Sequence, residues 1–407
     1  MAFTTEEVVL DAERGVTLSV QLLPTGGWYP GITERPAVLI LPGGGYNRPS
    51  EREAENVAAP FLAAGYHAMV LRYSAGEHRA WPGPLCDYEA AMALIDERAG
   101  SWRLRADKVA VLGFSSGGHL AACAATMARR RPAAAILVYP LLAGPTLELC
   151  MPGPDVPAPV EHVDARTTPI FHVQSRDDTL TPVGDALALL TALGRAGVTF
   201  ESHVYAYGEH GFSTAAPGLN AAGAVPERTR HWVADAISWL DDVLGPLTAD
   251  GVGEPRVSGR TDADLEDVLS LDCTVGHLLA QEGQAREALA PALGALDAME
   301  MEVIRRSGLV APGVDEDTAR RTFRRLIAPA RLRGVLGLVG ASAEEMDSLD
   351  QWLRRIPNRR RVPGRTATGA APGLDGDSTK WYISVPGPPD EGRPVSSRHW
   401  QRSSTCR

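Results

Sequence analysis

Short apolar runs without polar alternation recur through the first two-thirds of the chain. AVLIL (37–41), KVAVL (108–112) and AAAILVY (133–139) are the clearest. Such runs suit strands buried on both faces of a sheet. The predicted strands are Val16–Leu22, Ala37–Leu41, His67–Arg72, Lys108–Leu112, Ala134–Tyr139, Pro169–Gln174 and Thr199–Tyr205. Between them the apolar period lengthens to that of a helix. The predicted helices are Glu53–Ala64, Tyr88–Glu97, Gly117–Arg129, Val183–Ala196 and Glu227–Val243. Strands alternating with helices predict an α/β fold, a doubly wound and mostly parallel sheet with helices on both faces.

The pattern changes near residue 245. Residues 246–260 are polar and glycine-rich and read as a linker. Residues 261–356 have helical spacing, with Leu265, Val268 and Leu269 first and Leu332, Val335, Leu336 and Val339 later. Asp262 is placed to cap the first of these helices, and the zone has the size of a small all-α domain. Residues 357–407, opening on Arg359-Arg360-Arg361, are rich in Pro, Gly, Ser and Arg and read as a disordered basic tail.

Composition narrows the class. The 407 residues carry a formal net charge of −10, which disfavours a general affinity for nucleic acid. The N-terminus has no apolar segment resembling a secretory leader, and no run is long enough to span a bilayer. The five cysteines are scattered with no C-x-x-C pair, so reduced thiols in a cytoplasm are expected. No His/Asp/Glu cluster has metal-ligand spacing, and no cofactor motif is present.

Four segments carry chemistry. Gly113-Phe114-Ser115-Ser116-Gly117-Gly118 follows a predicted strand and opens a helix. A G-x-S-x-G in that context is a turn that projects Ser115 as a nucleophile. Pro42-Gly43-Gly44-Gly45-Tyr46 follows the strand before it, and a glycine run there can turn amides toward a developing oxyanion. The expected donors are the N–H of Ser116 and one from Gly44 or Gly45. Ser175-Arg176-Asp177-Asp178 follows another strand and offers a carboxylate to orient a histidine. Asp178 is favoured, with Asp177 its close competitor; either could instead cap the next helix. Gly208-Glu209-His210-Gly211 follows the last strand and supplies His210 as general base. His172 and His203 fall within strands and read as structural. The order Ser115, Asp178, His210 is that of one known strand–helix hydrolase scaffold.

These segments, with WPGPLCDYEAAMALI, SRDDTLTP and YGEHGFS, resemble the α/β-hydrolase group of carbohydrate acetyl esterases and acetyl/feruloyl esterases, over roughly residues 16–244. The resemblance implies an acid in an Asp-x-x-Val-Pro run, which Asp178-Thr179-Leu180-Thr181-Pro182 fits with Thr in place of Val, and so supports Asp178. Pro42 stands where other relatives have His, as in the acetyl-esterase branch. Asp87 matches an acid before a helix and reads as a cap. Residues 261–356 bear a weak likeness to a small domain attached to some carbohydrate-active enzymes. The insertion 141–168 is short and proline-rich and forms a modest rim. The expectation is a cytoplasmic serine esterase removing short acyl groups, acetyl foremost, from small-molecule esters such as acylated xylo-oligosaccharides. The rival readings are an arylformamidase or small peptidase on the same scaffold, or a binding module that kept the fold and lost the chemistry.

Overall fold

Eight strands form one sheet in the computed structural model, which describes residues 3–153, 155–257, 263–283, 285–290, 314–328, 330–338 and 341–358. The strands are β1 (Thr4–Asp11), β2 (Val16–Leu22), β3 (Arg35–Leu41), β4 (His67–Arg72), β5 (Leu104–Phe114), β6 (Ala134–Val138), β7 (Ile170–Ser175) and β8 (Phe200–Tyr205). Their spatial order is β1-β2-β4-β3-β5-β6-β7-β8. β1 pairs antiparallel with β2, and β2 with β4; every later pairing is parallel.

The helices of this region are α1 (Glu55–Ala63), α2 (Gly83–Trp102), α3 (Ser115–Met127), α4 (Gly144–Cys150), α5 (Val183–Arg195) and α6 (Trp232–Leu244). Alternate residues of the inner strands feed two cores. Leu39, Leu41, Val111 and Leu137 pack with Met92 and Ile95 of α2, Leu120 of α3 and Leu189 of α5. Val38, Ile40, Leu112 and Ile136 pack with Phe61 of α1 and Trp232 and Leu240 of α6 on the other face. Both faces are therefore covered, which is why β3 and β6 are buried at every residue.

All seven predicted strands and five predicted helices are present, two strands (Val16–Leu22 and His67–Arg72) with the predicted ends and the other elements with one or both ends shifted. β1 and α4 were not predicted. β1 reads Thr-Thr-Glu-Glu-Val-Val-Leu-Asp at a sheet edge with no residue fully buried, so it lacks the continuous apolar run of the inner strands. Residues 247–252 of the presumed linker form a hairpin, Leu247–Thr248 against Gly251–Val252. The backbone N–H groups of Arg256 and Val257 then donate to the Asp242 carbonyl.

The chain divides into two compact units. The first comprises Met1–Glu266 with Ser270–Thr274 and Arg331–Arg333. The second comprises Asp267–Leu269, Val275–Ala330 and Gly334–Arg407. Its helices include Val275–Leu279, Glu316–Ile327 and Ala343–Leu353; Asp315 and Ser342 cap the last two. The helical spacing of Leu265, Val268 and Leu269 does not produce a helix. Ala263–Leu265 is a single 3-10 turn, and Val268 instead bridges to Pro357 as extended backbone, with the Leu269 N–H donating to the Ile356 carbonyl. Asp262 and the Arg359–Arg361 run lie outside the described residues. Among the described residues no helix is long and apolar enough to cross a membrane.

Candidate active site

The four segments singled out above all follow parallel strands at their C-terminal ends, the edge where open α/β sheets gather their sites. β5 passes into α3 through Ser115, whose φ of 51° is in the left-handed region. A side chain held there is strained and persists only where its surroundings impose it. Close packing imposes it here: a Cβ on Gly117 would collide with the carbonyl oxygens of Leu41 and Pro42. The absence of that carbon lets α3 approach β3 and fixes the turn beneath Ser115.

Ser115 Oγ lies 2.8 Å from His210 Nε2, and His210 Nδ1 lies 2.8 Å from Asp178 Oδ2. A carboxylate accepts only, so Nδ1 carries the proton and Nε2 is left to accept from the serine hydroxyl. Asp178 is buried and well supplied with donors. The N–H groups of Leu180 and Thr181 donate to its Oδ1 at 2.9 Å each, and the Thr181 hydroxyl to its Oδ2 at 2.8 Å. Burial pushes the Asp178 carboxyl up, but the bonds and charge of His210 and the Thr181 donors outweigh it and hold it below the usual range. Asp177, the competing acid, points elsewhere and accepts the Gly208 N–H at 2.9 Å.

The glycine loop lies against Ser115, with a Cβ built on Gly43 falling 3.0 Å from Ser115 Cβ. Gly44 has a φ of 120° and no room for a side chain beside the Arg48 carbonyl. The Gly43 N–H donates to Glu53 Oε2 at 2.9 Å. The N–H groups of Gly44 and Gly45 have no acceptor among the described residues, and Ser116 sits in the first turn of α3, where amides lack intrahelical partners. Tyr46 closes the loop: its hydroxyl lies 2.6 Å from His119 Nδ1, while His119 Nε2 donates to the Pro157 carbonyl at 2.9 Å. Tyr73 donates to the Pro42 carbonyl at 2.6 Å.

The residues therefore bring together a hydroxyl, an imidazole with its proton on the far nitrogen, a buried carboxylate and free amides. That set can carry out nucleophilic acyl transfer without a metal or cofactor. Among the described residues no group of His, Cys, Asp and Glu could hold a metal ion. A cavity of about 800 Å³ lined by Val160, Leu187 and Arg195 contains none of these residues.

One reading changes. Asp87 is not a cap, because α2 begins at Gly83 and Asp87 is already inside it. Its buried carboxylate accepts the Ser74 N–H at 2.8 Å and pairs with Arg14 at 2.7 Å, bracing the chain after β4. Tyr139 and Glu53 were not singled out from the sequence. Tyr139 packs edge-on against the His210 ring at 5.0 Å. The one available signal was its position, the last residue of a strand beside β5. His172 is buried within β7 and His203 lies in β8, apart from the Ser115–His210 pair.

The BD-FAE family model matches residues 30–135 and the dienelactone hydrolase family model residues 85–244. An endo-1,4-beta-xylanase B of Butyrivibrio fibrisolvens is 26% identical over 214 residues, 45% of this chain and 33% of that protein. An acetylxylan esterase of Xylanibacter ruminicola is 26% identical over 198 residues, 43% of this chain and 41% of that protein. The chain thus spans less than half the length of these two curated relatives. A solved α/β-hydrolase enzyme from a Medee basin deep-sea metagenome library is 34% identical, with a TM-score of 0.55. That alignment covers 59% of this chain and 98% of the other.

Proposed function

The chain belongs to the α/β-hydrolase family, and on that premise we propose that it is a serine esterase that removes short acyl groups, acetyl foremost, from carbohydrate alcohols. The observation that carries the reading is the continuous Ser115–His210–Asp178 chain, with 2.8 Å at both links, beside amides that have no acceptor among the described residues.

In this mechanism Ser115 Oγ attacks the ester carbonyl as His210 Nε2 takes its proton. Asp178 keeps the imidazole oriented and stabilises the imidazolium. The oxyanion is received by the Ser116 N–H and by that of Gly44 or Gly45. His210 returns the proton to the leaving alcohol, and a water activated by the same nitrogen then cleaves the acyl-enzyme.

Two features favour a short acyl group on a bulky polar alcohol. The described part of the insertion between β6 and β7 carries only α4 and a 3-10 turn over Pro159–His162, which is a rim and not a helical cap. The acetylxylan esterase and xylanase relatives point to acetylated xylan fragments as the alcohol side.

The test is a series of p-nitrophenyl esters of increasing acyl length beside acetylated xylo-oligosaccharides, with Ser115→Ala as control. Acetyl esters should turn over fastest, acetate should be released from the oligosaccharides, and Ser115→Ala should lose activity by roughly a thousandfold or more. Faster cleavage of long-chain esters, or of formanilides, would replace this reading with a lipase or an arylformamidase.

A further inference from the structure

We propose that Glu53 and Tyr139 are positioning residues that lock the oxyanion loop and the His210 loop into one frame. The inference rests on the esterase reading above. Glu53 ends a 3-10 turn, Glu51–Glu53, and is only 5% exposed. Its Oε2 accepts the Gly43 N–H at 2.9 Å, and its Oε1 accepts the Tyr139 hydroxyl at 2.6 Å. Among the described residues no cation lies within ion-pair distance of it.

Tyr139 extends the connection. It follows β6 with a φ of 38° and is entirely buried. Its hydroxyl donates to Glu53 and accepts the Ser213 N–H at 2.8 Å. Its ring packs edge-on against His210 at 5.0 Å and Phe212 at 4.5 Å. Ser213, with a φ of 52°, donates its hydroxyl to the Arg52 carbonyl at 2.6 Å. Arg52 precedes Glu53, so the circuit closes on itself: Glu53, Tyr139, Ser213, Arg52.

Packing alone does not call for this arrangement. A buried carboxylate with no cation is costly, and an apolar side chain of similar size would fill the same volume. What the carboxylate supplies is two acceptor oxygens aimed at donors on two different chain segments. One donor is the amide that opens the Gly43–Gly45 loop. The other is a hydroxyl that grips the loop carrying His210. Neither Glu53 nor Tyr139 has a hydrogen bond to Ser115 Oγ, so their action passes through the groups they hold. Displaced oxyanion donors and a displaced base weaken the transition state and leave ground-state binding intact. The loss should therefore fall on kcat and not on KM.

The experiment measures kcat and KM for p-nitrophenyl acetate, with Tm alongside, in the full chain and in Glu53→Gln, Tyr139→Phe and the double variant. The amide of Glu53→Gln keeps the size but presents N–H groups where one of two donors needs an acceptor. Tyr139→Phe keeps the ring against His210 and removes the shared hydroxyl; it carries the test if Glu53→Gln fails to fold. Each single variant should lower kcat about tenfold or more with KM within about threefold. The double variant should fall no more than about threefold below the slower single, because both act through one circuit. A folded Tyr139→Phe with kcat within about twofold of wild type overturns the proposal, as does a rise in KM at unchanged kcat. Ser115→Ala separates the two ideas. Turnover surviving in it sinks the esterase reading and this proposal together. Turnover lost in it, with wild-type kcat in both network variants, sinks this proposal alone.

Discussion

The Asp177 carboxylate accepts the Gly208 N–H at 2.9 Å, which ties the segment after β7 to the segment after β8. Its neighbour Asp178 accepts from the imidazole two residues beyond that glycine. Two adjacent acids thus share the work of placing one histidine. Asp177 anchors the loop by its backbone, and Asp178 orients the ring.

That division predicts unequal losses. Asp178→Asn places an amide against Nδ1 and favours the tautomer that cannot accept from Ser115, so kcat should fall roughly a thousandfold or more. Asp177→Asn keeps an oxygen for the Gly208 N–H and should cost about tenfold or less. Steady-state kinetics of the two variants, measured side by side, decides the matter. Equal losses would mean that the acid has been misassigned.

Gly117→Ala tests the packing under Ser115. The added Cβ meets the carbonyl oxygens of Leu41 and Pro42, which are backbone atoms of the central strand and its loop. They cannot rotate away as a side chain could. The expected result is a loss of several kcal/mol of stability, on the scale of severe core substitutions, or failure to fold. A variant with unchanged Tm would show that α3 can slide without disturbing the turn.

Tyr46→Phe removes the donor that satisfies His119 Nδ1 and leaves a buried acceptor unpaired. Its cost should be about 1–3 kcal/mol, read from urea unfolding. Because Tyr46 directly follows the glycines proposed to hold the oxyanion, kcat for acetyl esters should fall as well. Full stability and full activity in this variant would mean that His119 only fills space.

The inner strands were legible because burial on both faces leaves an unbroken apolar run, as in β3 and β6. The candidate site was legible because its turns need particular residues: glycines at 43–45, and small residues at 113, 116 and 117 around Ser115. β1 was hidden because a solvated edge strand looks like ordinary polar chain. Glu53 and Tyr139 were hidden for a different reason. A glutamate at the start of a helix and a tyrosine at the end of a strand are unremarkable in one dimension. They acquire meaning only when β3, β6 and the His210 loop converge, since their contacts are 10, 86 and 74 residues apart in sequence. Val268 shows the converse, an apolar spacing that suggested a helix and was overridden by pairing with Pro357.

Buried histidines are expected to set the acid limit of stability. Burial lowers His67, His119 and His172 to about 4 each, from an ordinary value near 6.5. The structures around them explain why the neutral form is required. His67 Nδ1 accepts the Leu23 N–H at 3.1 Å, so a proton on that nitrogen would face another donor. His119 Nε2 already donates to Pro157, which leaves Nδ1 to accept from Tyr46. The sign follows from linkage. Between pH 6.5 and 4 the unfolded chain binds these protons and the folded chain does not, so the stabilisation is full above about 6.5 and is lost as pH falls toward 4. Each histidine adds a slope of about 1.4 kcal/mol per pH unit within that window, and three together approach about 4. Urea unfolding at half-unit steps from pH 8 to pH 4.5 should show a flat region followed by a steep decline below 6.5. His119→Gln, whose amide can donate to Pro157 and accept from Tyr46, should reduce that slope by about one proton. Stability that stays level from pH 7 to pH 5 would show that these rings are open to solvent and free to titrate.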